Sequence, residues 1–126
     1  PFLLAQSFAR NIHPGSFGRI VNMLDWRALR PGKDHFAYSI SKAGLASMTQ
    51  SMALELAPQI AVNAIALGAI LPPENDNLDE FILVKVPLNK WANLADLEQL
   101  LLYLLTISPA LTGQIIHLDG GRQIIH

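Results

Sequence analysis

Half of a doubly wound, parallel α/β sheet is the fold class this sequence predicts. Three observations lead there. Short apolar runs that suit buried strands alternate with longer runs of helical spacing. The chain has 126 residues, enough for one domain. Its apolar fraction is 51 % and its charged fraction 15 %, so both faces of a sheet can be covered and apolar surface is left over for a partner. Three parallel strands alone leave edges unprotected, so the pattern describes half of a sheet.

The elements follow in order. Residues 1–12 place Phe2, Ala5, Phe8, Ala9 and Ile12 near helical spacing behind Pro1, which suits a first turn. His13-Pro14-Gly15-Ser16 ends that helix. Arg19–Leu24 is a short, partly β-branched run that reads as a buried strand. Residues 25–35, with Pro31-Gly32, read as a loop. Phe36–Ala57 reads as a long helix stopped by Pro58, and Ile60–Ala66 as a second buried strand. Residues 67–90 hold Gly68, Pro72-Pro73, the acidic group Glu74, Asp76, Asp79 and Glu80, and Pro87, and read mostly as loop. Leu94–Ile107 reads as a third helix and Gln114–Leu118 as a third strand, followed by Asp119-Gly120-Gly121.

Several function classes are excluded. Nine basic residues against ten acidic ones give a net charge of −1 without a basic stripe, which argues against nucleic acid. There is no cysteine, hence no disulfide or thiolate metal site, and the four histidines lack metal-ligand spacing. The charge-free stretches Leu56–Pro73 and Gln99–Leu118 approach the length of a membrane span, but proline, glycine and amide residues interrupt both. No secretory signal is visible, and the expected compartment is the cytoplasm. The chain begins with Pro1, which suggests processing or a piece of something longer.

The helix over 36–57 carries the chemistry. From Tyr38 to Ala57 it holds two formal charges, Lys42 and Glu55, so it should be buried on two sides, against the sheet and against another subunit. Tyr38 and Lys42 stand at i and i+4, on one helical face. An ammonium beside a phenol favours the phenolate and lowers a pKa that is ordinarily about 10. Such a tyrosine can give and take a proton near neutral pH. On spacing alone the pair is weak evidence, because a tyrosine and a lysine are commonly paired by chance at the end of a helix.

Its surroundings add to it. A strand carrying Asn22 precedes Tyr38-Ser39-Ile40-Ser41-Lys42-Ala43; then come Glu55-Leu56-Ala57-Pro58, Val62-Asn63-Ala64-Ile65, Leu111-Thr112-Gly113-Gln114 and Asp119-Gly120-Gly121. With these motifs the sequence resembles the carboxyl-terminal half of a short-chain dehydrogenase/reductase, over nearly all of residues 1–126. The resemblance implies a Rossmann-type sheet, a small-molecule substrate and a nicotinamide cofactor, NADP(H) in preference to NAD(H). It implies that Tyr38 is the catalytic acid/base and that Lys42 binds the nicotinamide ribose and lowers the tyrosine pKa. Leu67-Gly68-Ala69-Ile70 is similar to the family's Pro-Gly-x-Ile turn beside the nicotinamide, with Leu67 in place of the proline and Pro72 where a threonine is usual. Leu67, Gly68 and Ile70 are thereby cofactor-binding candidates. Asn22 and Asn63 are expected to be structural.

One departure concerns the substrate. The family has a serine thirteen residues before the tyrosine; here that position is Asp25. A serine donates to a ketone oxygen as it becomes negative, whereas an ionised carboxylate only accepts. A substrate with N–H donors, such as a pterin ring reduced at C=N, suits the carboxylate. In this the chain resembles the pteridine reductases and dihydromonapterin/dihydrofolate reductases of the family, with carbonyl or 3-oxoacyl reduction as the alternative. The family's glycine-rich dinucleotide turn has no counterpart, since Gly15-Ser16-Phe17-Gly18 lies between a helix and an inner strand. The chain is therefore expected to be the catalytic half, inactive by itself. A reading of another class is a self-associating fragment without turnover. Association as a dimer or tetramer is expected through helices 1–12 and 36–57.

Overall fold

The computed structural model describes residues 1–30, 32–70, 82–106 and 110–125. The acidic group at 74–80 and Pro72 lie outside the described residues. In chain order the elements are α1 (Phe2–Asn11), β1 (Gly18–Asp25), a 3₁₀ turn (Trp26–Ala28), α2 (Phe36–Glu55), β2 (Ile60–Leu67), α3 (Leu94–Thr106), β3 (Ile115–Leu118) and a second 3₁₀ turn (Arg122–Ile124). The three strands are parallel in the order β1-β2-β3. Gly18 pairs with Ile60 and Asp25 with Leu67, so β1 and β2 end level; Leu118 pairs with Leu67, so β3 ends there too.

The alternation expected from sequence is present, with small changes at the ends. β2 is apolar on both faces because it is central, and Ile60 to Ala66 are all buried. Its even-numbered residues share one face with those of β1. Ile60 and Val62 there meet Ala5 of α1 and Met52 and Ala53 of α2. Ala64, Ala66 and Leu24 meet Ala46 of α2 and Ala28 of the 3₁₀ turn. Leu104 of α3 is also fully buried, and α3 packs back against β1. Each such large side chain stabilises the fold by roughly 1.5–3 kcal/mol on burial.

Both strand asparagines are structural. Asn22 is buried and donates to Thr49 Oγ1 at 2.9 Å, and Thr49 donates to the Leu45 carbonyl at 2.8 Å. Asn63 donates to the Leu111 carbonyl at 2.8 Å and accepts from the Gln114 amide at 3.0 Å, fixing the turn that leads into β3.

The two 3₁₀ turns are additions to the sequence reading. The Asp25 carboxylate accepts from the Arg27 amide at 2.8 Å and caps the first. The Asp119 carboxylate accepts from the amides of Gly121 (2.9 Å) and Gln123 (2.8 Å) and holds the second. Three-residue turns leave no periodicity to read. Between these aspartate-held turns, Gly120 has φ +62°, and a Cβ there would fall 2.5 Å from Val86 Cγ1. The glycine lets Val86-Pro87-Leu88 dock on the end of β3, where the Leu88 amide donates to the Gly120 carbonyl at 3.2 Å.

One side of α2 covers the sheet as expected. The other carries exposed Ile40, Ala43, Gly44, Ser47 and Leu54, continuous in character with exposed Leu3 and Leu4 of α1. Among the described residues no helix is long and apolar enough to cross a membrane.

Candidate active site

The strands end level, and the ends of β1 and β2 open into a cavity of about 570 Å³. Ligands of open α/β sheets bind at this carboxyl end. All six sequence candidates border it: Asp25 closes β1, Tyr38 and Lys42 face it from the first turns of α2, and Leu67, Gly68 and Ile70 follow β2. The turn after β2 is held tight, since a Cβ on Gly68 would press 2.5 Å from the Asp119 Cα. The Gly68 amide donates to the Leu118 carbonyl at 3.0 Å.

The Tyr38 hydroxyl donates to Asp25 Oδ2 at 3.2 Å, across the thirteen residues that separate them. The other carboxylate oxygen, Oδ1, accepts from the Arg27 amide and lies 3.9 Å from the Arg27 guanidinium. Lys42 Nζ donates to the Met23 carbonyl at 2.9 Å and lies 5.7 Å from the centre of the Tyr38 ring.

These contacts correct the expected direction of the Tyr38 shift. The phenol is held above its ordinary pKa, not below it. Partial desolvation is the largest cause, followed by the charge of Asp25 and its hydrogen bond to the phenol; Arg27 offsets part of this. The ammonium expected to act on the phenol is engaged by a backbone carbonyl, and the carboxylate is the nearest charge. The arrangement thus favours the neutral, protonated phenol.

Sequence reasoning missed the rest of the cavity wall. Ile82 and Trp91 come from the segment before α3, Leu94 and Leu97 from α3 itself, and Arg122 from beyond β3. The helical spacing of Leu94 and Leu97 announces an apolar face but not what it meets. The donor set fits a nicotinamide ribose: the ammonium and the phenol border the cavity one helical turn apart, beside the 67–70 backbone.

Known proteins resemble this chain throughout. A family model described as Enoyl-(Acyl carrier protein) reductase matches residues 1–123. A dihydromonapterin reductase of Citrobacter koseri is 36% identical over 98% of this chain and 53% of its own length. The 3-oxoacyl-[acyl-carrier-protein] reductase FabG of Aquifex aeolicus is 33% identical over 95% of this chain and 51% of its own. Among solved structures, FolM alternative dihydrofolate reductase 1 from Brucella suis in complex with NADP superposes with a TM-score of 0.93 at 33% identity, covering 100% of this chain and 51% of that one. The chain spans about half the length of the curated relatives it matches.

Proposed function

This chain belongs to the short-chain dehydrogenase/reductase family, and from that premise we propose that the protein carrying it reduces a C=N bond in a pterin- or dihydrofolate-like ring, using NADP(H) rather than NAD(H). The observation that carries this reading is the Asp25 carboxylate facing the Tyr38 phenol at 3.2 Å on the cavity wall. A carboxylate there accepts from ring N–H groups and opposes the oxyanion of a ketone. Relatives named dihydromonapterin reductase and dihydrofolate reductase, the latter with NADP, support the same reading.

Bound NADPH would supply the hydride, and Lys42 with the backbone at Leu67, Gly68 and Ile70 would hold it. Asp25 orients the substrate ring by accepting its N–H groups. Tyr38 gives its proton to the ring nitrogen, so that with hydride on the neighbouring carbon C=N becomes CH–NH. The phenolate left behind is reprotonated from solvent, and Lys42, one turn along the helix, is the cation at hand to stabilise it meanwhile. The activity belongs to the protein that contains this chain together with a dinucleotide-binding segment, with the cytoplasm as its expected compartment. The exposed apolar faces of α1 and α2 fit self-association as a dimer or tetramer.

A second reading, reduction of a 3-oxoacyl or other carbonyl group, is favoured by the likeness to the Aquifex aeolicus enzyme. Rates of NADPH oxidation by the intact protein separate the two. Faster turnover of a dihydropterin than of a ketone or an acetoacetyl thioester is expected. A preference for the thioester transfers the assignment to the second reading, and no turnover with any of them leaves a self-associating protein without catalysis.

A further inference from the structure

Beside the catalytic cavity lies a second one of about 460 Å³, and its wall is basic. Arg27, Arg30, Lys85 and Arg122 line it, and among the described residues Asp34 is the one carboxylate in that lining, while Asp25 stands 3.9 Å from the Arg27 guanidinium at its edge. Arg122 borders both cavities, which makes them neighbours with a shared wall. Arg27 follows Asp25 by two residues, and its amide already holds the Asp25 carboxylate at 2.8 Å. The basic cavity therefore begins where the substrate ring is expected to sit.

The three arginines are held in place rather than scattered in solvent. The guanidiniums of Arg27 and Arg122 lie 4.7 and 4.5 Å from the ring centre of Trp26, a stacking that limits their freedom. Arg30 Nη1 donates to the carbonyls of Arg122 (3.1 Å) and Gln123 (3.2 Å), tying the first 3₁₀ turn to the second. Asp34 engages Arg27 at 3.4 Å and is itself largely exposed. The Nε of Arg122 is buried and has no hydrogen-bond partner among the described residues. A buried N–H without an acceptor leaves this guanidinium short of hydrogen-bond partners. Burial, and next the repulsion of Arg27, hold the Arg122 guanidinium below its ordinary pKa, while Asp25, Asp119 and Asp34 offset part of this.

We propose that Arg27, Arg30, Lys85 and Arg122 form an anion subsite, joined to the catalytic cavity through Arg122, that holds a carboxylate-bearing tail of the substrate. This rests on the pterin-type reading for the ring and adds a second point of recognition to it. A planar guanidinium pairs with a carboxylate through two parallel hydrogen bonds, and the combined cavities have room for a bicyclic ring and an aryl-linked acid. Substrates that share the ring but differ in the tail should therefore be told apart here, with no change in the chemical step.

The test uses the intact protein, NADPH, and two substrates with the same ring: a dihydropterin with a neutral side chain, and dihydrofolate, whose tail ends in carboxylates. Arg30→Gln and Lys85→Gln are each expected to raise KM for dihydrofolate about fivefold at unchanged kcat, as loss of a partly exposed ion pair would. KM for the neutral dihydropterin should stay within about twofold for Lys85→Gln, whose side chain lies outside the catalytic cavity. A melting curve checks Arg30→Gln, because that side chain ties two turns; if it unfolds the protein, Lys85→Gln decides. Equal changes for both substrates, or none for either, overturn the subsite.

If the wild-type protein reduces neither ring, the pterin reading fails and the subsite is judged by binding alone. Quenching of tryptophan fluorescence by N-(4-aminobenzoyl)glutamate should then saturate, and weaken in Lys85→Gln. The absence of saturable binding overturns the proposal, as does a site that takes inorganic phosphate and ignores the carboxylate fragment.

Discussion

Replacing Asp25 with serine is the sharpest test of the substrate class. The carboxylate accepts two hydrogen bonds in the structure, from the Tyr38 hydroxyl and the Arg27 amide, and lies 3.9 Å from the Arg27 guanidinium. Serine is itself a good cap for a helical turn, so the turn at Trp26–Ala28 should survive. What is lost is the charged acceptor facing the substrate ring. A hydrogen bond to a charged group contributes roughly 1.5–3 kcal/mol and a neutral one roughly 0.5–1.5 kcal/mol. The Asp25 side chain is 19% exposed, so water screens part of the difference and the low end, about 1 kcal/mol, is the fair figure. That predicts a fall of about fivefold in kcat/KM for a dihydropterin. A ketone gains in turn, because the repelling charge is gone and a donor has replaced it.

The assay is NADPH oxidation with the two substrates side by side, for wild type, Asp25→Ser and the isosteric Asp25→Asn. The ratio of their kcat/KM values should move toward the ketone in both variants. The pH profile gives an independent reading. On the proposed mechanism Tyr38 must carry its proton to act, so activity is expected to fall as pH rises through its pKa. Asp25 raises that pKa by its charge and its hydrogen bond, while burial acts regardless. Removing the carboxylate should therefore move the alkaline limb of the profile to lower pH. A ratio that does not move, or an alkaline limb that stays where it was, would refute the reasoning.

Tyr38→Phe should lower kcat by about 10²- to 10⁴-fold in the intact protein while NADPH binding, followed by fluorescence, persists; near-normal turnover would remove Tyr38 from the mechanism. Lys42→Ala should weaken both binding and turnover, since its ammonium borders the cavity and also bonds the end of β1. Gly120→Ala should cost about 2 kcal/mol in chemical denaturation, from the left-handed backbone and the contact with Val86; a loss well below that would mean the 86–88 segment is not docked as described. Light scattering should find a dimer or tetramer, and Leu54→Lys on the exposed face of α2 should shift it toward monomer. A wild-type protein that stays monomeric at high concentration counts against the use of these faces.

What could be read from the sequence depended on the range over which the cause acts. Strand and helix alternation is local, so β1, β2, β3 and the three helices were legible within about two residues at their ends. The facing of Tyr38 and Lys42 follows from helical period alone. Asp25 was legible as a site candidate only through the family resemblance, at the serine position thirteen residues before Tyr38, and the structure brings it to the same cavity wall. The partner of Lys42 was not legible, because the Met23 carbonyl reaches it through the way α2 lies across β1. Arg122 was not legible either. It enters the site because Asp119 and Gly120 turn the chain back after β3, and Trp26 stacks on its guanidinium. The sign of the Tyr38 shift depends on the same kind of fact. Spacing along α2 brings a cation near the phenol, while the end of β1 brings an anion nearer. Burial of the phenol is the largest cause of the upward shift and the Asp25 carboxylate the next, and both follow from how α2 lies against the end of β1. Local periodicity thus singles out Tyr38 as a candidate proton donor, and tertiary packing sets the direction in which its pKa is shifted.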